Sequence, residues 1–368
     1  YRHGWYNLTE YVNRYFRANA TGCIGLLESK MYVDNQKLQP YYAIIDALEA
    51  RGFNVIPVVA YGATPEQLKV MVESFTDAPD VESFFANPSK YKVYVDAIVS
   101  MPAYGLGGDL FTNVTKFFEL INVPVFKALH SDYLLAEQWE LSTLGLRQLT
   151  GDRWWHIAVS ESQGIIDSTI VATNSEPITD PDTGLSYSLY EIIPANIEHL
   201  ADEIKGWVKL KRLSNNEKKV ALIYYNYPPG KDNIGSSYLD VITSIYNLLN
   251  ILKENGYTVE NIPANTTILH DMIIQKGINV APWAPGELEK LAKNAILYPV
   301  DKYMEWFSKL DEITKIQVIE GPVGYIGELC KRAVGLNYTT GMEDRIDSWY
   351  DGIISLLPEN KTNVAIPV

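Results

Sequence analysis

The segment richest in chemistry is Tyr224 to Val241, "YYNYPPGKDNIGSSYLDV". Pro228 and Pro229 stiffen the exit from a strand, while Gly230 and Gly235 permit backbone conformations and close approaches that a side chain forbids. Ser236 or Ser237 can cap the following helix, whose free amide groups and positive dipole end favour a carboxylate or phosphate. Lys231 adds a cation at the same place. With Tyr227 and Asn233, these residues form a candidate site for an anionic ligand, although a stiff turn carrying a surface lysine would use the same residues. A phosphate loop is the poorer reading, because its glycine spacing is absent and Asp232 follows the lysine.

Two weaker candidates also stand at expected strand ends. "YGLGGD" (Tyr104 to Asp109) has the position of a ligand-facing loop without the full dinucleotide fingerprint; Tyr104, Gly107 and Gly108 are its candidate contacts. His130 follows a short apolar run and is the one histidine of five nominated for a site. His3, His130, His156, His199 and His270 lack metal-ligand spacing. No nucleophile elbow of the form GxSxG and no identifiable carboxylate pair occurs, so the catalytic residues stay unassigned.

The elements that must position these residues alternate. Residues 1 to 20 hold a helical pattern with Tyr11, Tyr15 and Phe16, expected to dock on the first domain. Cys23 to Leu27 reads as a strand, followed by a helix with Ile44, Ile45 and Leu48 on one face. Gly52 closes that helix in a left-handed conformation, and Val55 to Ala60 is the next strand. Helix 65–75, strand Ala97 to Met101, helix Leu110 to Ile121 and strand Pro124 to Lys127 follow. Ile165 to Ala172 is a strand candidate, "SEPITDPDTG" a turn, and Pro194 to Leu213 a long helix.

The second half repeats this outline. Strand Val220 to Tyr225 leads to a helix with Tyr238, Val241, Ile242, Ile245, Leu249 and Leu252 on one stripe, closed by Gly256. "LEARGFNVIP" and "LKENGYTVENIP" share a helix end, a glycine stop, an aromatic residue and a strand. The fold class expected is α/β, with two three-layer Rossmann or flavodoxin-like domains, residues 1–213 and 214–368, each on a mostly parallel sheet. The ligand crevice is expected at the enlarged loop after Val220 to Tyr225.

Composition narrows the function classes. At 368 residues the chain suits two domains, and its 47% hydrophobic content is that of a packed protein. Its formal net charge of -14, from 31 basic and 45 acidic residues, argues against a nucleic-acid partner. The longest apolar runs are strand-sized, so no membrane span is expected. Cys23 and Cys330, far apart, suggest neither a disulfide framework nor a metal motif. The chain reads as a piece of a longer polypeptide.

At "YYNYPPGKDNIGSSYLDVITSIYNLLNILKENGYTV" the sequence resembles the large subunit of the cobaltochelatase and magnesium chelatase family. The likeness extends through "LEARGFNVIPV", "VDAIVSMPAYGLGG", "INVPVFKAL" and "EQWELSTLGL", covering most of residues 22 to 260. It implies an enzyme that inserts a divalent metal, cobalt or magnesium as substrate, into a tetrapyrrole. It also implies ATP-hydrolysing partner subunits, with no cofactor held by this stretch alone. The family's histidine- and glutamate-containing HGT-type motif is absent, which implies that the catalytic centre lies outside these residues and that the piece alone is inactive. "VSESQG" (Val159 to Gly164) also departs from the family's proline-containing acidic segment.

A cytoplasmic location is expected. Two alternatives remain: a non-catalytic tetrapyrrole- or metal-binding relative at the cell surface, and a periplasmic-binding-like module for a small anion. The surface reading is motivated by glycosylation-type triplets at Asn7, Asn19, Asn113, Asn265, Asn337 and Asn360, although an asparagine- and threonine-rich chain forms some by chance.

Overall fold

The computed structural model describes residues 6–60, 65–102, 111–140, 142, 145–146, 153–224, 234–236, 238–276, 296–311, 314–315 and 363–366. The chain divides into two compact units, Tyr1–Leu213 and Ser214–Val368.

The first unit opens with helix α1 (Leu8–Tyr15). The Asn7 side chain accepts from the Glu10 amide at 2.9 Å and the Glu10 carboxylate reaches back to the Asn7 amide, a reciprocal cap. Tyr11 is buried, and Leu8 and Phe16 pack on the core, so the expected docking of this helix is found. Strand β1 (Gly22–Ser29), the short α2 (Lys30–Asp34), α3 (Gln39–Ala50) and β2 (Phe53–Ala60) form the expected βαβ unit, with β1 and β2 parallel. Gly52 has φ +90°, the left-handed stop read from the sequence.

There follow α4 (Pro65–Phe75), α5 (Val81–Ala86), β3 (Ala97–Ser100), α6 (Phe111–Ile121), β4 (Val125–Leu135) and α7 (Ala136–Glu140). A helical turn, Arg153–Ala158, runs into α8 (Val159–Ser162) and then β5 (Ile166–Asn174). The polar turn carries a small hairpin, β6 (Ile178–Thr179) with β7 (Ser186–Tyr187). β8 (Tyr190–Ile192) and α9 (Pro194–Arg212) complete the unit.

The six-stranded sheet has the order β2-β1-β3-β4-β5-β8, parallel except for β8 against β5. Because successive strand side chains point to opposite faces, β1 feeds two cores. Cys23 and Leu27 face a cluster with Met71, Phe75 and Phe117 of α4 and α6. Ile24 and Leu26 face Ile44 and Leu48 of α3 with Leu200 and Ile204 of α9. Helices thus cover both faces, as apolar parallel strands require. Gly25 is the close approach in this packing: a Cβ there would lie 2.6 Å from Phe75 Cζ. Both outer strands are modified, β2 by Pro57, which pairs with Leu26, and β8 by its three-residue length. Arg51 ties α3 to α9 through Asp202 at 2.7 Å and Glu198 at 2.9 Å.

Two expectations change. The strand read as Pro124 to Lys127 continues to Leu135, so His130 lies inside it rather than beyond it. In the second unit, α10 (Val241–Glu254) and the stop at Gly256, φ +81°, are as read, except that Tyr238 precedes the helix and is exposed. The flanking strands are not: Val220–Tyr224 and Tyr257–Pro263 form no strand among the described residues, Asn261 turns at φ +54°, and Ile223 is 96% exposed. An extended segment becomes a strand only where a neighbour completes its ladder. The unit's other described elements are α11 (Thr266–Lys276), β9 (Ile296–Pro299), α12 (Val300–Phe307) and β10 (Asn363–Ile366), which pairs antiparallel with β9. Among the described residues no helix is long and apolar enough to cross a membrane.

Candidate functional site

From β1 the chain moves to β2 on one side and then to β3 on the other, so the sheet's topological switch lies between β1 and β3. Ligands of open α/β sheets bind beyond the carboxyl ends of the strands at such a point. The register pairs Leu27 with Ser100 and Ser100 with Lys127, which sets the carboxyl ends of β1 and β3 level with Lys127 in β4. Glu28, Ser100 and Lys127 are all buried there. The Lys127 ammonium nitrogen donates to the Pro102 carbonyl, and Glu28 Oε1 accepts from the Ser29 amide at 2.7 Å.

Loss of water is the dominant influence on both charged groups. Burial pushes the Glu28 carboxyl up to about 8, against the lowering effects of the Ser29 amide and Lys127. Burial also brings the Lys127 amine down to about 7, with Glu28 opposing. Both groups therefore change protonation closer to neutrality than an exposed glutamate or lysine does. A group with a raised folded pKa favours the folded state fully below its unfolded value of 4.5, and that advantage is lost as pH rises through 8. Glu28→Gln is accordingly expected to gain on the parent protein, by roughly 1.4 kcal/mol per pH unit, as pH rises from 4.5 towards 8. Urea unfolding of both proteins at several pH values checks this; a constant stability difference would remove Glu28 from the buried pair.

Beside this pair is a histidine pair. His130, on β4, stands edge-on to Tyr32 at 4.5 Å between ring centroids, 4.5 Å from Tyr190 and 5.6 Å from His156. Both His130 ring nitrogens and His156 Nδ1 are buried with no hydrogen-bond partner among the described residues. Burial, followed by the neighbouring cations, holds His130 well below the usual imidazole range and His156 down to about 3. At neutral pH both rings are uncharged, and these three nitrogens keep a donor or acceptor function in reserve. The rim is polar: Tyr190 donates to Asp132 Oδ1 at 2.6 Å, and Lys37 sits 3.8 Å from that oxygen and 4.7 Å over the Tyr190 ring. Among the described residues no three metal-ligating side chains converge.

A second concavity of about 330 Å³ borders β2, with Tyr6, Tyr11, Tyr41 and Tyr42 among its lining residues. Its aromatic walls suit the face of a flat apolar molecule.

Of the residues nominated from sequence, His130 belongs to the buried cluster of the first unit. Gly235 and Ser236 are described in the second unit, where exposed Ser236 forms an isolated bridge with Leu239. The cap of α10 is a correction. Asp240, not Ser236 or Ser237, accepts from the Thr243 amide at 3.0 Å, and this bond holds its carboxyl below the usual range. A cap must directly precede the first helical residue, and a carboxylate there also answers the helix dipole. The terminus that was expected to receive a ligand anion thus already faces one, and Lys231 remains the loop's candidate cation. Tyr104, Gly107, Gly108, Tyr227, Pro229, Gly230, Lys231 and Asn233 lie outside the described residues.

The sequence reading missed Glu28, Lys127 and His156. The first two did leave a signal: each is a lone charge at or within an apolar parallel strand, "GCIGLLES" and "VFKALH", where charges are seldom buried without a role. His156 left none, because the turn Arg153–Ala158 that carries it has no sequence period of its own.

Residues 2–324 match the family model described as CobN/Magnesium Chelatase. The chain is 31% identical over 310 residues to the uncharacterized protein MJ1441 of Methanocaldococcus jannaschii, covering 81% of this chain and 24% of that protein. It is 29% identical to the chloroplastic magnesium-chelatase subunit ChlH of Oryza sativa, over 73% of this chain and 18% of that one. The chain thus spans a quarter or less of the length of these relatives. The solved catalytic subunit of cobaltochelatase from Mycobacterium tuberculosis shares the fold, with a TM-score of 0.59 at 22% identity over 83% of this chain and 24% of that chain.

Proposed function

The chain belongs to the CobN/magnesium chelatase family, and from that premise we propose that it forms part of the large, tetrapyrrole-binding subunit of an ATP-dependent metal chelatase. Its substrates are a tetrapyrrole and a cobalt or magnesium ion, with ATP hydrolysed on partner subunits. The observation that carries this reading is the family match over residues 2–324, which takes in both the buried cluster and the loop around Lys231.

Insertion requires the metal to shed water, the planar ring to distort and two pyrrole protons to leave. This stretch serves the binding part of that task. Lys231 and the glycines beside it meet the carboxylate arms of the ring, together with Tyr227, Pro229, Asn233, Gly235 and Ser236. In the first unit, taken by itself, Tyr104, Gly107, Gly108 and His130 are the candidate ligand contacts. The metal- and proton-handling centre lies elsewhere in the subunit, so the isolated chain inserts no metal.

Titration with a free-base tetrapyrrole bearing carboxylates, followed by tryptophan fluorescence, is expected to show saturable quenching. Lys231→Ala is expected to weaken binding roughly 10- to 100-fold, the loss of one charge-assisted hydrogen bond. Absence of quenching at high ligand, together with an unchanged Lys231→Ala variant, would overturn the assignment of the loop.

A second reading keeps the tetrapyrrole and drops the ATP-driven step: a surface protein of this family that binds the ring or a metal without catalysis. It is favoured by the six Asn-x-Thr triplets.

A further inference from the structure

We propose that Asn7, Asn19, Asn113 and Asn265 are acceptors of N-linked glycans.

The argument begins with counting. The chain has 24 asparagines, 20 threonines and 20 serines in 368 residues. Random placement gives 24 × 20/368, or about 1.3, triplets of the acceptor form Asn-x-Thr, and about 1.3 of Asn-x-Ser. Six Asn-x-Thr triplets are present, none with proline in the middle. The one Asn-x-Ser, Asn87-Pro88-Ser89, carries the proline that disqualifies an acceptor. Asparagine and hydroxyl richness would raise both classes equally; here only one is enriched, and every member of it is usable.

The fold adds an independent observation. All four of these asparagines that fall among the described residues are solvent-exposed, on four separate segments of the chain. Asn7 and Asn265 spend their side-chain oxygens as caps, accepting from the amides of Glu10 and Ile268 at 2.9 Å each. In that arrangement the carboxamide nitrogen, the atom that is glycosylated, is the group not engaged by the cap. Asn19 lies in the turn before β1, and Asn113 on the exposed side of the first turn of α6. A glycan at any of the four projects into solvent without unpacking a core residue.

The reaction is a group transfer from a lipid-linked oligosaccharide. The carboxamide nitrogen bonds to the anomeric carbon of the first sugar, the bond from that carbon to the lipid phosphate oxygen breaks, and the amide gives up one proton. The phosphorylated lipid leaves. The inference rests on the second, surface-binding reading of the chain. The glycan itself is detected whether or not a tetrapyrrole binds.

The test is peptide mass spectrometry of the full chain purified from the cells that naturally make it, with the same cells expressing Asn7→Asp and Asn265→Asp. Aspartate keeps both helix caps and lacks the acceptor nitrogen. Sugar mass increments are expected on the four asparagines, with one increment lost in each variant and no change in folding. Unmodified peptides at all four positions overturn the proposal. Increments that persist in Asn7→Asp but disappear in Thr9→Val also overturn it, by placing the sugar on the threonine hydroxyl.

Discussion

Phe75→Ala is expected to destabilise the first unit by about 3–5 kcal/mol, the cost of deleting a fully buried aromatic ring. What makes the position informative is its partner across the core. A Cβ on Gly25 would lie 2.6 and 2.7 Å from two Phe75 ring carbons, closer than van der Waals contact allows. Gly25→Ala alone is therefore expected to cost about 1–3 kcal/mol through overpacking. In the double variant the missing ring leaves room for the added methyl. The two costs should then fail to add, with the sum of the single effects exceeding the double effect by about 0.5–3 kcal/mol. Urea unfolding of the four proteins measures the cycle, and strict additivity would show that the ring and the glycine do not share this space.

His156→Gln is expected to change how the protein meets acid. A histidine with a depressed folded pKa binds fewer protons folded than unfolded. Its contribution to stability is therefore complete above 6.5 and is withdrawn as pH falls towards about 3. His130 acts in the same sense, because its pKa also lies well below 6.5. Glu28 opposes them between 4.5 and 8. Comparison of the parent with His156→Gln cancels the shared groups. The stability slope against pH between 6.5 and about 4 should be shallower in the variant by one proton, roughly 1.4 kcal/mol per pH unit. Parallel slopes would mean that His156 is already charged in the folded protein.

The first unit was largely legible in the sequence because its signals are local. Apolar, β-branched runs gave the parallel strands, and a glycine after a helical stripe gave the stop at Gly52. What escaped depends on neighbours. The run at Pro124 to Lys127 ends in its own sequence, yet β4 continues through His130 to Leu135 because β5 supplies a ladder partner as far as Asn174. Val220 to Tyr224 carries equal β propensity and has no such partner among the described residues, so the repeat between the halves holds for a helix and its glycine and stops at the strands.

Site residues divided in the same manner. His130 was nominated for its place near a strand end, a topological inference that needs only chain order. Glu28 and Lys127 are brought to the same region of the sheet, with β3 between their strands, by chain segments far apart in sequence, and Asp240 displaced two serines as the cap because capping is decided by one residue of helix offset. The large loop after Tyr224 remains the most specific part of the family resemblance.

The two borders of the six-stranded sheet have a consequence for how the molecule behaves among copies of itself. On one side Pro57 lacks the amide hydrogen that a docking chain would need, and on the other only three residues of β8 are on offer. Neither margin can seed a long intermolecular ribbon. The fold thus carries protection against cross-β polymerisation at the two places where an open sheet is most vulnerable to it.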